Sequence, residues 1–74
     1  MMYPQYRKLS NNKSFYKIVS KDAFEEIQLV GSSVITTNTN ASKYPEILRI
    51  KDMLDGVAPF EISTEAEYDS QNKA

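Results

Sequence analysis

The chain has 74 residues, of which 41% are hydrophobic and 26% charged, with a formal net charge of −1 and neither cysteine nor histidine. This length suits one small domain, and the missing residue types exclude disulfides, thiolate metal sites and catalysis by histidine. A domain of this size buries only about 60% of the unfolded chain's surface, so self-association would add buried area that its core lacks.

We expect a single domain over residues 1–69 and a disordered tail over 70–74, where nothing apolar can be buried. The first residues, MMYPQYRKLSNN, lack the apolar segment of a signal peptide, and no stretch is apolar enough to span a bilayer. The pattern therefore predicts a cytoplasmic protein without membrane contact.

Four segments have the composition of strands in an antiparallel meander. They are residues 5–9, 14–20, 24–30 and 33–39. Asn11-Asn12 suits a tight turn because asparagine tolerates positive φ, and Gly31-Ser32 suits a type II′ hairpin turn. Lys21-Asp22 is expected to form the turn between the second and third strands.

Two-residue turns at 21–22 and 31–32 would place Tyr16 opposite Ile27, Lys17 opposite Glu26 and Leu29 opposite Val34. One sheet face would then collect Tyr16, Ile18, Ile27, Leu29 and Val34. The other face would collect Phe15, Val19, Phe24, Val30 and Ile35, mixed with polar residues. The second face is mixed and more polar than the first, but it is too apolar to be ignored.

The segment KYPEILRIKDMLDG, residues 43–56, predicts a helix that carries Pro45 and Glu46 in its first turn and stops at Gly56. Its apolar stripe is expected to pack on the sheet face that contains Tyr16. The stripe consists of Tyr44, Ile47, Ile50, Leu54 and Val57.

Residues 59–63 are expected to be extended, and TEAE at 64–67 has the spacing of a capping box that starts a short helical turn with Tyr68. The fold class is therefore α+β: a four-stranded antiparallel meander, one α-helix on one face, a short fifth strand and a C-terminal helical turn. A curled, barrel-like sheet is the alternative.

No group of residues has the pattern of a catalytic or metal site. Glu25 and Glu26 are adjacent on a strand, so their carboxylates point to opposite faces and cannot share a substrate. Glu46, Asp52 and Asp55 lie on the helix without the loop that calcium sites need. We expect a non-enzymatic protein with no cofactor and no metal.

The second sheet face suggests a protein-interaction module, either a homodimer or a complex with another protein. The candidate interface residues are Phe15, Val19, Phe24 and Ile35. An edge strand could also pair with its symmetry mate. In the competing interpretation, residues 58–63 and the C-terminal turn fold over this face and give a closed monomer.

A second candidate function is binding of single-stranded nucleic acid on aromatic rings interspersed with lysines. The residues would be Lys8, Phe15, Lys17 and Phe24. The sequence pI of about 5.3 and the absence of aromatic, glycine-bearing RNA-recognition motifs argue against this function.

The succession YRKLS, KSFYKI, FEEIQLVG and YPEILRIKDML resembles a group of short bacterial proteins of unassigned function over residues 6–55. The resemblance implies a bacterial cytoplasmic protein that acts by contact with itself or with another protein. It implies no activity, ligand or site.

Overall fold

The structure is a computed structural model that describes residues 2–71. Five antiparallel strands form one sheet in the order β4-β3-β2-β1-β5, and two helices accompany it. The α+β meander with one helix, a short fifth strand and a C-terminal helix is confirmed. The elements are β1 (Gln5–Leu9), β2 (Ser14–Ser20), β3 (Ala23–Val30), β4 (Ser33–Asn40), α1 (Tyr44–Asp55), β5 (Phe60–Ile62) and α2 (Glu65–Gln71).

Within residues 2–71, neither α1 nor α2 is long and apolar enough to cross a bilayer. The helix α2 continues to Gln71, two residues past the predicted end of the domain at 69. The rest of the predicted tail, residues 72–74, lies outside the described residues.

At two hairpin turns the backbone conformation suits the residues that occupy them. Residues 10–13 connect β1 to β2, where the Asn12 amide donates to the Leu9 carbonyl at 2.9 Å, Asn12 has a φ of 59°, and Lys8 pairs with Phe15. Gly31 has a φ of 61° at the first central position of its turn, as a type II′ turn requires, and Leu29 pairs with Val34 as predicted. The β3–β4 register therefore follows from the local turn chemistry, whereas the sequence left the β1–β2 register open.

The register between β2 and β3 differs from the prediction by one residue. Ser20 pairs with Ala23 across the expected turn, but a β-bulge at Val19 shifts every pair beyond it. Phe15 therefore lies opposite Ile27, and Ile18 lies opposite Phe24. Because a shift of one residue moves a side chain to the other face, Phe24 joins Tyr16 and Ile18.

The corrected register also changes the polar pairs. Tyr16, predicted to face Ile27, lies opposite Glu26, and Lys17, predicted to face Glu26, lies opposite Glu25. Each sheet face consequently combines a compact apolar centre with one carboxylate of β3.

One face, called here the α1 face, packs against helix α1. Its buried cluster consists of Tyr16, Ile18, Phe24, Ala41, Ile50 and Met53. Pro45 and Glu46 lie in the first turn of α1, and Gly56, with a φ of 71°, ends the helix as predicted. Arg7 is buried beside the end of α1 and donates from Nε to the Met53 carbonyl at 2.7 Å and from Nη2 to the Leu54 carbonyl at 3.3 Å.

The predicted apolar stripe of α1 is only partly buried. Ile50 is buried, whereas Tyr44, Ile47 and Val57 are exposed. Met53, which lay outside the predicted stripe, is fully buried, and the guanidinium of Arg49, one helical turn earlier, covers the Tyr16 and Phe24 rings. The long side chain of an arginine can cover apolar surface while its charged head stays in contact with water.

Candidate interaction surface

The opposite face of the sheet, called here the α2 face, is covered by helix α2. Tyr68 is 2% exposed and forms a buried cluster with Phe15 and Ile27. Its ring lies 5.6 Å from that of Tyr6, and its hydroxyl donates a hydrogen bond of 2.5 Å to Glu25. Helix α2 therefore folds back over this face, as the competing interpretation expected of the C-terminal turn, whereas residues 60–62 do not cover the face and form β5 at the edge of the sheet.

Polar contacts hold α2 at its N-terminal end. The Thr64 hydroxyl accepts a hydrogen bond from the backbone N–H of Glu67 at 3.1 Å, which is half of the predicted capping box. The Glu67 carboxylate also accepts hydrogen bonds from Ser63 and, at 3.1 Å, from Lys8 on β1. These contacts, with the Ser63 bond as the largest cause, lower the pKa of Glu67.

On the α1 face, Arg49 joins the helix to the centre of the sheet. Its Nη2 donates a hydrogen bond of 2.9 Å to the Tyr16 hydroxyl and lies 3.6 Å from Glu26. The guanidinium carbon sits 5.3 Å from the Tyr16 ring centroid and 5.5 Å from that of Phe24. Glu25 and Glu26 thus serve opposite faces, as adjacent strand residues must.

The four candidate interface residues do not form one surface. Phe15 is 2% exposed beneath Tyr68, and Phe24 is 3% exposed on the α1 face. Val19, at the bulge, and Ile35, on β4, are 45% and 47% exposed. The predicted patch therefore divides into two core residues on opposite faces and two separate exposed side chains.

The residues proposed for nucleic-acid contact are also divided. Lys8, Phe15 and Lys17 share the α2 face, because Lys8 pairs with Phe15 and Lys17 lies two residues further along β2. Phe24 is on the other face. Lys8 forms an ion pair with Glu67, and neither phenylalanine ring is accessible to a base.

The most exposed strand is β4, which the sequence pattern did not single out as functional. It lies at the end of the sheet beside β3, and seven of its eight residues are exposed. Its sequence, SVITTNTN, contains no charged residue and no proline. Natural edge strands are commonly protected by lysine, proline, a bulge or short length. The absence of charged residues from this segment is the feature of the sequence that could have indicated an unprotected edge strand.

The backbone of β4 offers unpaired hydrogen-bonding groups along one side. The Leu29 amide donates to the Lys13 carbonyl at 2.8 Å, toward β2, so Leu29 and Val34 are a non-hydrogen-bonded pair. The N–H and C=O groups of Val34 then point away from β3. By the alternation of an antiparallel ladder, those of Thr36, Asn38 and Asn40 do so as well.

The other edge of the sheet differs in length and charge. Strand β5 has three residues, Phe60–Ile62, and includes the acidic Glu61. A short, charged edge offers few hydrogen bonds to an added strand. Within residues 2–71, β4 is consequently the longer of the two edges and the one without a charged residue.

Acidic residues do not gather into a metal site in the part of the chain that the structure describes. The tyrosines Tyr6, Tyr16 and Tyr68 have raised pKa values, with burial as the first cause in each. A buried tyrosine that stays protonated acts as a hydrogen-bond donor, as Tyr68 does toward Glu25.

No family model, curated protein or solved structure matches this chain.

Proposed function

We propose that this chain is a small, non-enzymatic protein-interaction module that binds a protein strand along β4. The observation that carries the proposal is an edge strand of eight residues with no charge, no proline and no bulge against β3. Strand addition to such an edge is a common mode of protein recognition, in which main-chain hydrogen bonds supply affinity.

Strand β4 is paired along its whole length with the rest of the sheet. All eight β4 residues pair with β3 in one continuous register. The hairpin is anchored at its base, where the Ala41 amide donates to the Asp22 carbonyl at 2.6 Å. An incoming strand therefore meets backbone groups that are already ordered, which lowers the entropic cost of binding.

Single-stranded nucleic-acid binding through Lys8, Phe15, Lys17 and Phe24 has less support than strand addition. Bases stack on accessible aromatic faces, and Phe15 and Phe24 are both buried. Titration with oligonucleotides at low salt tests this alternative, since binding by phosphate contacts weakens steeply as salt rises.

Amide hydrogen exchange tests strand addition at its site. We expect the amides of Val34, Thr36 and Asn38 to exchange fast in dilute protein, because they point to solvent. Their exchange should slow at high protein concentration or when unlabelled extract of the native host cells is added to the isotope-labelled protein. The amides of Ile35 and Thr37, which point to β3, serve as internal controls. If the three outward amides exchange equally fast under every condition, β4 is not a binding edge.

A further inference from the structure

We infer that the strand added to β4 is the β4 of a second copy, antiparallel to the first, with a two-fold axis normal to the sheet at Thr37. This inference rests on the proposed function and specifies its partner. The product is a closed dimer in which two five-stranded sheets become one continuous sheet.

The symmetry follows from strand geometry. An isologous edge-to-edge contact between identical strands is antiparallel, and a two-fold axis normal to the sheet keeps each α1 face on the same side. Residues that pair across two antiparallel strands point to the same sheet face. An even-numbered residue of β4 therefore pairs with an even-numbered residue of its copy, and an odd-numbered residue with an odd-numbered one. With Thr37 opposite its own copy, Val34 pairs with Asn40 and Thr36 with Asn38. Every outward-pointing backbone group of residues 34–40 then has a partner.

The side chains of β4 favour a copy of the same strand as the occupant. A charged strand would meet its own charges across the two-fold axis, whereas this strand has none to repel. Threonine and asparagine side chains face each other across the axis and can exchange hydrogen bonds. Val34 and Ile35, which are 40% and 47% exposed on opposite faces, both lose contact with water when the sheet continues past them.

The remaining edges explain why the assembly stops at two copies. In the dimer the β4 edges of both protomers are paired with each other. The two outer edges of the continuous sheet are then the β5 strands, each of three residues with Glu61 at its centre. Two such edges add few hydrogen bonds and bring like charges together. The contact therefore closes and does not propagate into a fibre.

Cysteine cross-linking tests the register, because the chain has no cysteine of its own. The backbone groups of Thr37 point to β3, so Thr37 and its copy form a non-hydrogen-bonded pair with Cα atoms about 4.5 Å apart, within the range of a disulfide. We expect Thr37→Cys to form a covalent dimer rapidly in dilute, mildly oxidising solution, since the effective thiol concentration is on the order of millimolar within the dimer. Ala66→Cys, exposed on α2, is the matched control and should react slowly.

A charge at the same position tests the interface without oxidation. Thr37→Lys places the lysine opposite Glu26, a favourable cross-strand pair that preserves the hairpin. In the dimer the two lysines would face each other, so sedimentation should show a monomer where the wild type and Ala66→Lys are dimers. Circular dichroism checks the fold, and if Thr37→Lys does not fold, the cysteine comparison decides.

Two results overturn the inference. One is a wild-type protein that stays monomeric to millimolar concentration, with Thr37→Cys cross-linking no faster than Ala66→Cys. The other is a folded Thr37→Lys variant that remains dimeric, which would place the contact elsewhere. Protection of Val34 and Thr36 amides by cell extract in a monomeric protein would leave the proposed function intact with a different partner.

Discussion

The hydroxyl of Tyr68 on the last helix donates a hydrogen bond of 2.5 Å to the carboxylate of Glu25 in the third strand, across 43 residues of sequence. The same tyrosine ring covers Phe15, which was predicted to be an interface residue. This contact helps to close the α2 face, whereas seven of the eight residues of β4 stay exposed at the edge of the sheet.

Removal of that hydroxyl is expected to weaken the domain. Tyr68→Phe keeps the ring over Phe15 but leaves Glu25 without its donor, and should lower the free energy of unfolding by about 0.5–1.5 kcal/mol. Tyr44→Phe removes an exposed hydroxyl and is the matched control, with no expected change. Chemical denaturation of the three proteins measures the difference, and equal midpoints would contradict a role for the Tyr68–Glu25 bond.

The same residue predicts sensitivity to alkali. Burial, followed by the hydrogen bond to Glu25, raises the pKa of Tyr68 above its ordinary value of 10.0. A group whose pKa is raised by folding contributes stability that is complete below pH 10 and is lost as the pH rises through the folded value. We expect the free energy of unfolding to fall above pH 10, and to fall less steeply in Tyr68→Phe. A parallel decline in both proteins would assign the effect to other groups.

We expect the hydrogen bonds from Arg7 to α1 to contribute substantially to the free energy of unfolding. It is 9% exposed, and its guanidinium donates to the carbonyls of Met53 and Leu54 at the C-terminal end of the helix, where a cation is favourable. Arg7→Met removes the side-chain donor from both carbonyls, of which Met53 keeps the bond from the Gly56 amide at 3.2 Å, and should cost about 1–3 kcal/mol of unfolding free energy.

The control for Arg7 is another cationic side chain near the same helix end. Lys51 forms an exposed pair with Asp55 at 2.7 Å, and Lys51→Met should leave the unfolding midpoint unchanged. Arg7→Lys is expected to fall between wild type and Arg7→Met, because an ammonium lacks the planar fork that reaches both carbonyls. If Arg7→Met and Lys51→Met unfold alike, the bonds to α1 contribute little.

Phe24 provides a test of the corrected register. The sequence pattern placed it on an accessible face, where Phe24→Asp would dissociate a dimer and leave the helix intact. In the structure its ring packs edge-on against Tyr16 at 6.0 Å and is 3% exposed. Phe24→Ala should therefore cost about 3–5 kcal/mol, and Phe24→Asp should unfold the domain, whose total stability is of order 5 kcal/mol.

The matched variant for Phe24 is Val19→Asp, at the exposed bulge, which should stay folded. Circular dichroism and denaturant titration distinguish these outcomes. A folded Phe24→Asp protein with native helix content would show that β2 and β3 pair in the register that the turn alone suggested.

Much of the local structure could be predicted because its causes lie within a few residues. Asn12 and Gly31 adopt the positive φ that their turns need, and the strands and α1 begin and end within one residue of the predicted limits, whereas α2 extends to Gln71, three residues past Tyr68. The bulge at Val19 was missed because Lys21-Asp22 fixes only the pair next to the turn. Burial of Phe24 with Ile18 and Tyr16 then decides the register beyond it.

The composition and pattern of the sequence by themselves determined an α+β meander without histidine or cysteine chemistry, since these follow from residue type and periodicity. Tertiary structure decided which apolar face is covered, because Tyr68 reaches Phe15 and Glu25 only after the chain has folded back on itself. It also decided which edge is open. The exposure of β4 depends on strand order, and strand order is set by contacts between residues far apart in the chain.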